Sequence, residues 1–206
     1  PLKAIRIAAA EALINIPLNK QNESVFTKAF QELSIATESN MWRGEGRVNK
    51  GNLAMQTNDL IGAEIAFKGS TEIDPYFPVG YVNLADVYRI KQREDLVADI
   101  LKYGIQNLPE SADIAYSYGL HYVRSKNVNQ AIDFFNKAMV LDPSNPLLAY
   151  TYILSVDGSN QSARALIELK EIILNYNDKS SLIKLGLYLA QKNNSRKDYV
   201  WFSKLN

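Results

Sequence analysis

His121 is the only histidine in a chain that has no cysteine, so clustered histidine ligation, thiolate metal binding, a thiol nucleophile, a disulfide and covalent c-type haem attachment all lack their donors within this sequence. A single imidazole has no partner here for a triad or a metal site, and it reads as a partly exposed helix residue. Glu94, Asp95 and Asp99 are acidic neighbours at helical spacing, but acid–base chemistry needs a shielded site that moves their pKa values. A solvated outer face is the expectation. Gly44, Gly46 and Gly51 stand near Arg43, Arg47 and Lys50 without forming a dinucleotide fingerprint or a Walker pattern, and they read as loosening a loop and starting a helix.

With those chemistries set aside, the composition bounds the rest. The 206 residues are 47% hydrophobic, enough for a substantial core, and the formal net charge is +1. Binding to a phosphate backbone normally requires a much larger positive excess, so nucleic acid is not expected as a partner. No apolar run approaches the roughly 20 residues that span a bilayer, and no membrane insertion is expected. The chain opens at Pro1 and passes directly into alanine-rich helical sequence without an initiator methionine or a signal-peptide profile, and so reads as a fragment of a longer protein. The last residues carry Lys179, Lys184, Lys192, Arg196, Lys197 and Lys204 against Asp178 and Asp198. This local excess would meet an acidic partner or simply keep the exposed end of an array polar.

The elements that must position any site show a period. Pro75, Pro109 and Pro143 stand 34 residues apart, each after an apolar helical segment that the missing N–H and the ring clash would stop. Small residues recur where antiparallel helices must approach closely: Gly51 with Ala63 and Ser70, Ala85 with Gly104, and Gly119 with Ala131 and Ala138. Large residues fill the complementary positions, with Tyr88 and Tyr122 in first helices and Phe67, Leu101 and Phe135 in second helices.

These residues resemble the tetratricopeptide pattern, most completely in Tyr118-Gly119, Tyr122, Ala131, Phe135, Ala138 and Pro143. The resemblance covers about four-fifths of the chain and implies an all-α fold, a right-handed α-solenoid of antiparallel helix pairs. Repeats are expected over 44–77, 78–111, 112–145 and 146–178, with a partial unit over 179–206. The fourth has Ile153 in place of glycine and Asn177 in place of proline. Residues 1–40 differ in kind. Ile5, Ile7, Ala8, Ala12, Leu13 and Ile16 form one stripe ended by Pro17, and Phe26, Ala29, Phe30 and Leu33 form another, a helical pair capping the array. Asn19–Asn22 and Ser39–Arg43 read as connections, and Ser24 as an N-cap.

A narrower resemblance lies in Pro1–Leu13, which is similar to the last helix of a HEAT-like repeat. The stretches Gly51–Ala54, Tyr81–Arg89, Tyr118–Leu120 and Val123-Arg124 are similar to C-terminal tetratricopeptide regions of large bacterial multihaem cytochrome c proteins. That resemblance implies a periplasmic parent protein with its haem sites upstream, while this chain itself is expected to carry no cofactor.

In tetratricopeptide arrays the first helix of each pair lines a concave groove. The expected rows are Val48, Val82, Tyr116 and Tyr150, then Asn52, Asp86, Leu120 and Leu154, then Met55, Arg89 and Val123, with Asn49 and Asn83 beside them. Tyr116 and Tyr150 offer large contact area for a peptide or protein partner, or else pack between repeats; Tyr88 and Tyr122 are expected in the core. A carboxylate clamp is not expected: Asn52 and Asn83 match its two asparagines, but Val48, Asp113 and Ser117 stand where its three cations would be. The function expected is a non-catalytic scaffold for a peptide or protein segment. The alternative is a structural or self-associating spacer without a separate ligand. If the register is right, Gly119→Leu will lower the urea midpoint far more than Asp95→Leu, since overpacking a helix crossing costs about 1–3 kcal/mol and an exposed change under about 0.5 kcal/mol; equal midpoints would refute it.

Overall fold

In a computed structural model, residues 3–13 and 23–205 are described, with side-chain surroundings for 3–10 and 28–205. Every regular element among them is helical, and the chain divides between Leu108 and Pro109 into two units. The first contains α1 (Lys3–Leu13), α2 (Glu23–Glu38), α3 (Gly44–Gln56), α4 (Leu60–Ile73), α5 (Pro78–Ile90) and α6 (Glu94–Asn107). The second contains α7 (Ala112–Arg124), α8 (Val128–Leu141), α9 (Pro146–Gly158), α10 (Ser162–Ile172), α11 (Ser180–Lys192) and α12 (Arg196–Ser203). Within each unit every helix packs on the next, and first helices of successive pairs also touch, α3 with α5 and α9 with α11. This is the packing of an all-α solenoid.

The helix boundaries follow from their terminal residues. α4, α6 and α8 each stop two residues before Pro75, Pro109 and Pro143, as a residue with no N–H requires. Pro78 and Pro146 occupy first-turn positions, where no N–H is needed. Asp59, Ser111, Asn127, Asn145 and Ser195 accept hydrogen bonds from first-turn backbone N–H groups, satisfying donors that the helix leaves unpaired. The fourth pair manages without a proline at Asn177: α10 runs into a 3-10 turn, Ile173–Asn175, and the chain then extends at the buried Tyr176.

The pairs share one close approach. A Cβ added at Gly51 would lie 2.3 Å from the Phe67 ring, one at Gly119 2.5 Å from Phe135, and one at Gly186 2.3 Å from Phe202. The aromatic ring of the second helix therefore sits directly on the backbone of the first. Ala85 and Leu101 hold these positions in the α5–α6 pair, and Ile153 and Leu169 in the α9–α10 pair; all four are buried. Volume is redistributed across the crossing so that the core stays filled.

Several expectations are corrected. Gly44 starts α3 as expected, but Gly44, Gly46 and Gly51 are all helical and buried, so they permit close packing instead of loosening a loop: a Cβ at Gly46 would fall 1.9 Å from the Asn40 carbonyl oxygen. Gly44 also offers its carbonyl to the buried Ser70 hydroxyl, 2.9 Å away. Ser24 stands inside α2, which begins at Glu23, and is not ahead of it as an N-cap. Among the α1 side chains described, Ala10 is buried and Ile7 half-buried against the same cluster, while Ile5 and Ala8 are exposed. Pro17, Ile16 and the Asn19–Asn22 connection lie outside the described residues, as do the side chains of Ala12, Leu13 and Phe26.

One regularity has no glycine or proline to announce it. Asn58, Gln92, Lys126, Asn160 and Asn194, again 34 residues apart, all adopt left-handed backbone with φ of 59, 58, 60, 65 and 54°. Each lies just past the end of a first helix. In the first pair the Asn58 N–H donates to Met55 O at 3.0 Å and the Asp59 N–H to Ala54 O at 2.8 Å, the paired bonds of a Schellman motif that satisfy the last carbonyls. Left-handed backbone costs a non-glycine residue about 1–2 kcal/mol, while glycine loses about 0.5–1 kcal/mol more entropy on folding. Lys126→Gly is therefore expected to stabilise the protein by about 0.5–1 kcal/mol, seen as a higher urea midpoint; a lowered midpoint would contradict the turn.

Candidate functional site

In the first unit, α3 and α5 supply the surface of interest. Val48 does not belong to it: the side chain is buried in a cluster with Ala54, with Phe67 of α4 and with Leu84 and Val87 of α5. Asn49 and Asn52 are exposed, while Val82 and Asn83 are half-buried. The Asn83 Nδ2 donates to Asn52 Oδ1 at 3.0 Å, joining α3 to α5. Asp86 and Arg89 are both exposed and pair with each other at 3.0 Å, an arrangement that contributes little to stability in water. Met55 is half-buried against the same cluster as Val48.

Asn49 and Asn52 line a cavity of about 420 Å³ with Asn40 and Gln56. Ile7 of α1, Leu33 of α2 and Leu53 of α3 supply its aliphatic surface, and Ala36, Thr37 and Gly46 complete it. Asn49, Asn52 and Gln56 form one stripe along α3. The repeat register points to the first two members in the sequence. Gln56 was missed there, although the same helical spacing could have supplied it, and so was Asn40, which stands in a turn. The contribution of α1 and α2 had no signal, because those helices lie outside the repeat. The lining holds amides, a hydroxyl and aliphatic groups, and none of these residues titrates or carries charge. Such a site binds by hydrogen bonding and shape, not by moving protons.

In the second unit Tyr116 and Tyr150 are half-buried and pack against the unit's core. The Tyr116 ring lies 5.6 Å from that of Phe135, tilted by 50°. Leu120 and Leu154 are exposed, as is Val123, so the α7–α9 face keeps an apolar character. Tyr122 is likewise half-buried and stacks on Tyr118 at 4.8 Å; Tyr88 in the first unit is half-buried as well, and burial raises its phenol pKa. His121 is buried, 8% exposed, with its ring 5.9 Å from Tyr118 and 5.4 Å from Tyr122; the expectation of a partly exposed imidazole is corrected. The rings of Tyr118 and Tyr122 lie against it on its own helix, so this polar position is not turned outward. Of the residues at the clamp positions, Val48 is buried, Asp113 is exposed and Asn52 is engaged with Asn83.

No protein-family model and no curated protein sequence matches the chain. Its fold does match solved structures. YrrB, described as a tetratricopeptide-repeat protein with an unusual peptide-binding site, aligns over 84% of this chain and 88% of its own at a TM-score of 0.57 and 16% identity. PilF of Pseudomonas aeruginosa aligns over 97% and 88% at 0.63 and 14%. A thermophilic tetratricopeptide-repeat protein of Thermus thermophilus aligns over 98% of both chains at 0.58 and 14%. The chain has the tetratricopeptide-repeat fold. At these identities the likeness defines that architecture.

The two parts of the expected surface differ in what truncation should do. Tyr116→Ala removes a ring packed on Phe135 and is expected to cost about 1–3 kcal/mol, whereas Asn49→Ala, at an exposed position, should stay within about 0.5 kcal/mol. Urea melts of both variants check this; an unaltered midpoint for Tyr116→Ala would return that ring to the free surface anchors.

Proposed function

We propose that this chain is a protein-interaction module that holds a peptide or protein segment against the first helices of its pairs. The observation that carries the reading is the amide-lined cavity at Asn49 and Asn52, two residues that the repeat register independently assigns to the binding side. Leu120 and Leu154 extend the reading to the second unit as apolar contacts. The peptide-binding site described for YrrB, a protein of the same fold, supports it. The setting we propose is the C-terminal part of a periplasmic multihaem cytochrome c. It rests on the sequence resemblance alone, and on that reading the haem belongs to the parent protein and not to this chain.

The spacer alternative draws on a specific observation as well: Tyr116 and Tyr150 spend much of their surface on the unit's own core. Panning a phage-displayed random peptide library against the full chain distinguishes the two. Enriched peptides should bind with micromolar Kd, and Asn49→Leu with Asn52→Leu should weaken them at least tenfold while the melting temperature holds. Absence of any enriched peptide, together with association of the chain with itself in sedimentation, would favour the spacer.

A further inference from the structure

Resting on that peptide-binding reading, we infer that the cavity between α1, α2 and α3 takes an uncharged, extended stretch of polypeptide and holds it chiefly by its main-chain amides. The first reason is the lining chemistry. A primary amide carries N–H donors and a carbonyl acceptor, the same inventory as a peptide group. Asn49 and Gln56 make no side-chain hydrogen bond among the described residues. Asn52 uses its oxygen to accept from Asn83 and keeps its NH2 group, while Asn40 donates only a long 3.5 Å bond to Ala36 O and keeps its oxygen. The cavity thus presents donors and acceptors together, as an extended chain presents N–H and C=O together.

Spacing agrees with this. Three and four residues along α3 correspond to axial steps of about 4.5 and 6 Å, and peptide groups facing the same way along an extended chain recur about every 6.6 Å. Successive amides of the stripe can follow successive outward peptide groups with modest side-chain adjustment.

Charge and shape then exclude the other ligand classes. No charged residue is among those lining the cavity, and the nearby Lys50 is engaged with Glu38 at 2.9 Å. A carboxylate, phosphate or ammonium entering it would lose hydration without gaining a counter-ion. No aromatic ring lines it either, so a nucleobase finds no stacking platform. The aliphatic floor of Ile7, Leu33 and Leu53 suits one small apolar side chain. A cavity of about 420 Å³ lies toward the small end of ligand sites, about 300–1,000 Å³, and is matched to a few residues.

The test uses the full chain and three pools of acetylated, amidated octapeptides: one of uncharged residues, one with two aspartates and one with two lysines. Affinity selection read by mass spectrometry should retain the uncharged pool. Calorimetry on a retained member should then show at least a tenfold loss when two alternate peptide nitrogens are methylated, and a similar loss in the chain carrying Asn49→Leu and Asn52→Leu. Equal binding by the N-methylated peptide, or preferential retention of a charged pool, overturns the main-chain inference and leaves the interaction reading standing. A retained peptide indifferent to the two asparagine substitutions overturns the assignment to this cavity. If no pool is retained, the inference and the peptide-binding reading fall together.

Discussion

The helix pairs depend on one contact: a ring or branched side chain of the second helix pressed onto a small residue of the first. At Gly51, Gly119 and Gly186 the approach leaves no space for a Cβ beside Phe67, Phe135 and Phe202. Dispersion energy falls steeply with a small gap, so this contact sets how near two helices lie, and the distance between them fixes which residues reach the outer surfaces. Val48 and Asn49 show the consequence. They are neighbours in sequence, yet one is buried and the other is exposed.

Where the contact departs from glycine and phenylalanine, other interactions hold the fold. The α9–α10 pair substitutes Ile153 and Leu169, and it adds the Tyr152 hydroxyl donating to Glu168 Oε2 at 2.7 Å, with the Arg164 guanidinium closing on the same carboxylate at 2.7 Å. Burial, reinforced by the carboxylate beside it, pushes the Tyr152 phenol up to about 12. Asp157, buried on α9, receives a 2.7 Å bond from Lys192 of α11, and the bond to that carboxylate raises the lysine pKa. Lys170 reaches Asp198 from α10 to α12, and this bond, with a second from Ser195, lowers the aspartate pKa. The basic tail is therefore partly engaged inside the unit: Lys192 is not simply a solvated cap charge.

The same helices that make the core expose two chemically different surfaces. In the first unit the α3 stripe is made of amides beside an aliphatic floor, whereas in the second Leu120 and Val123 of α7 and Leu154 of α9 are exposed. Repetition of the backbone thus carries no requirement that the ligand chemistry repeat. A solenoid can keep its crossings constant while its first helices vary, because the crossing uses a different face of each helix from the one left to solvent.

Much of the fold was legible because its causes are local. Pro75, Pro109 and Pro143 stop helices wherever they occur, and glycines opposite phenylalanines tolerate close approach in any solenoid of this period. Asn49, Asn52, Leu120 and Leu154 could be placed on exposed helix faces from register alone. Other features depend on what packs from elsewhere. His121 became buried, Tyr116 leaned on Phe135, and Gly46 met the Asn40 carbonyl, because a residue's exposure is set by every element around it and not by its own helix. The left-handed turns at Gln92 and Lys126 were invisible for a related reason: neither residue favours that backbone, and the Schellman bonds and packing of the next helix impose it. By itself the sequence determined the period, the helix ends and the absence of thiol chemistry, all written in single residues; only the tertiary structure decided that four amides, three on α3 and one in the turn before it, converge on one cavity with α1 and α2, since convergence is a property of helices brought together in space.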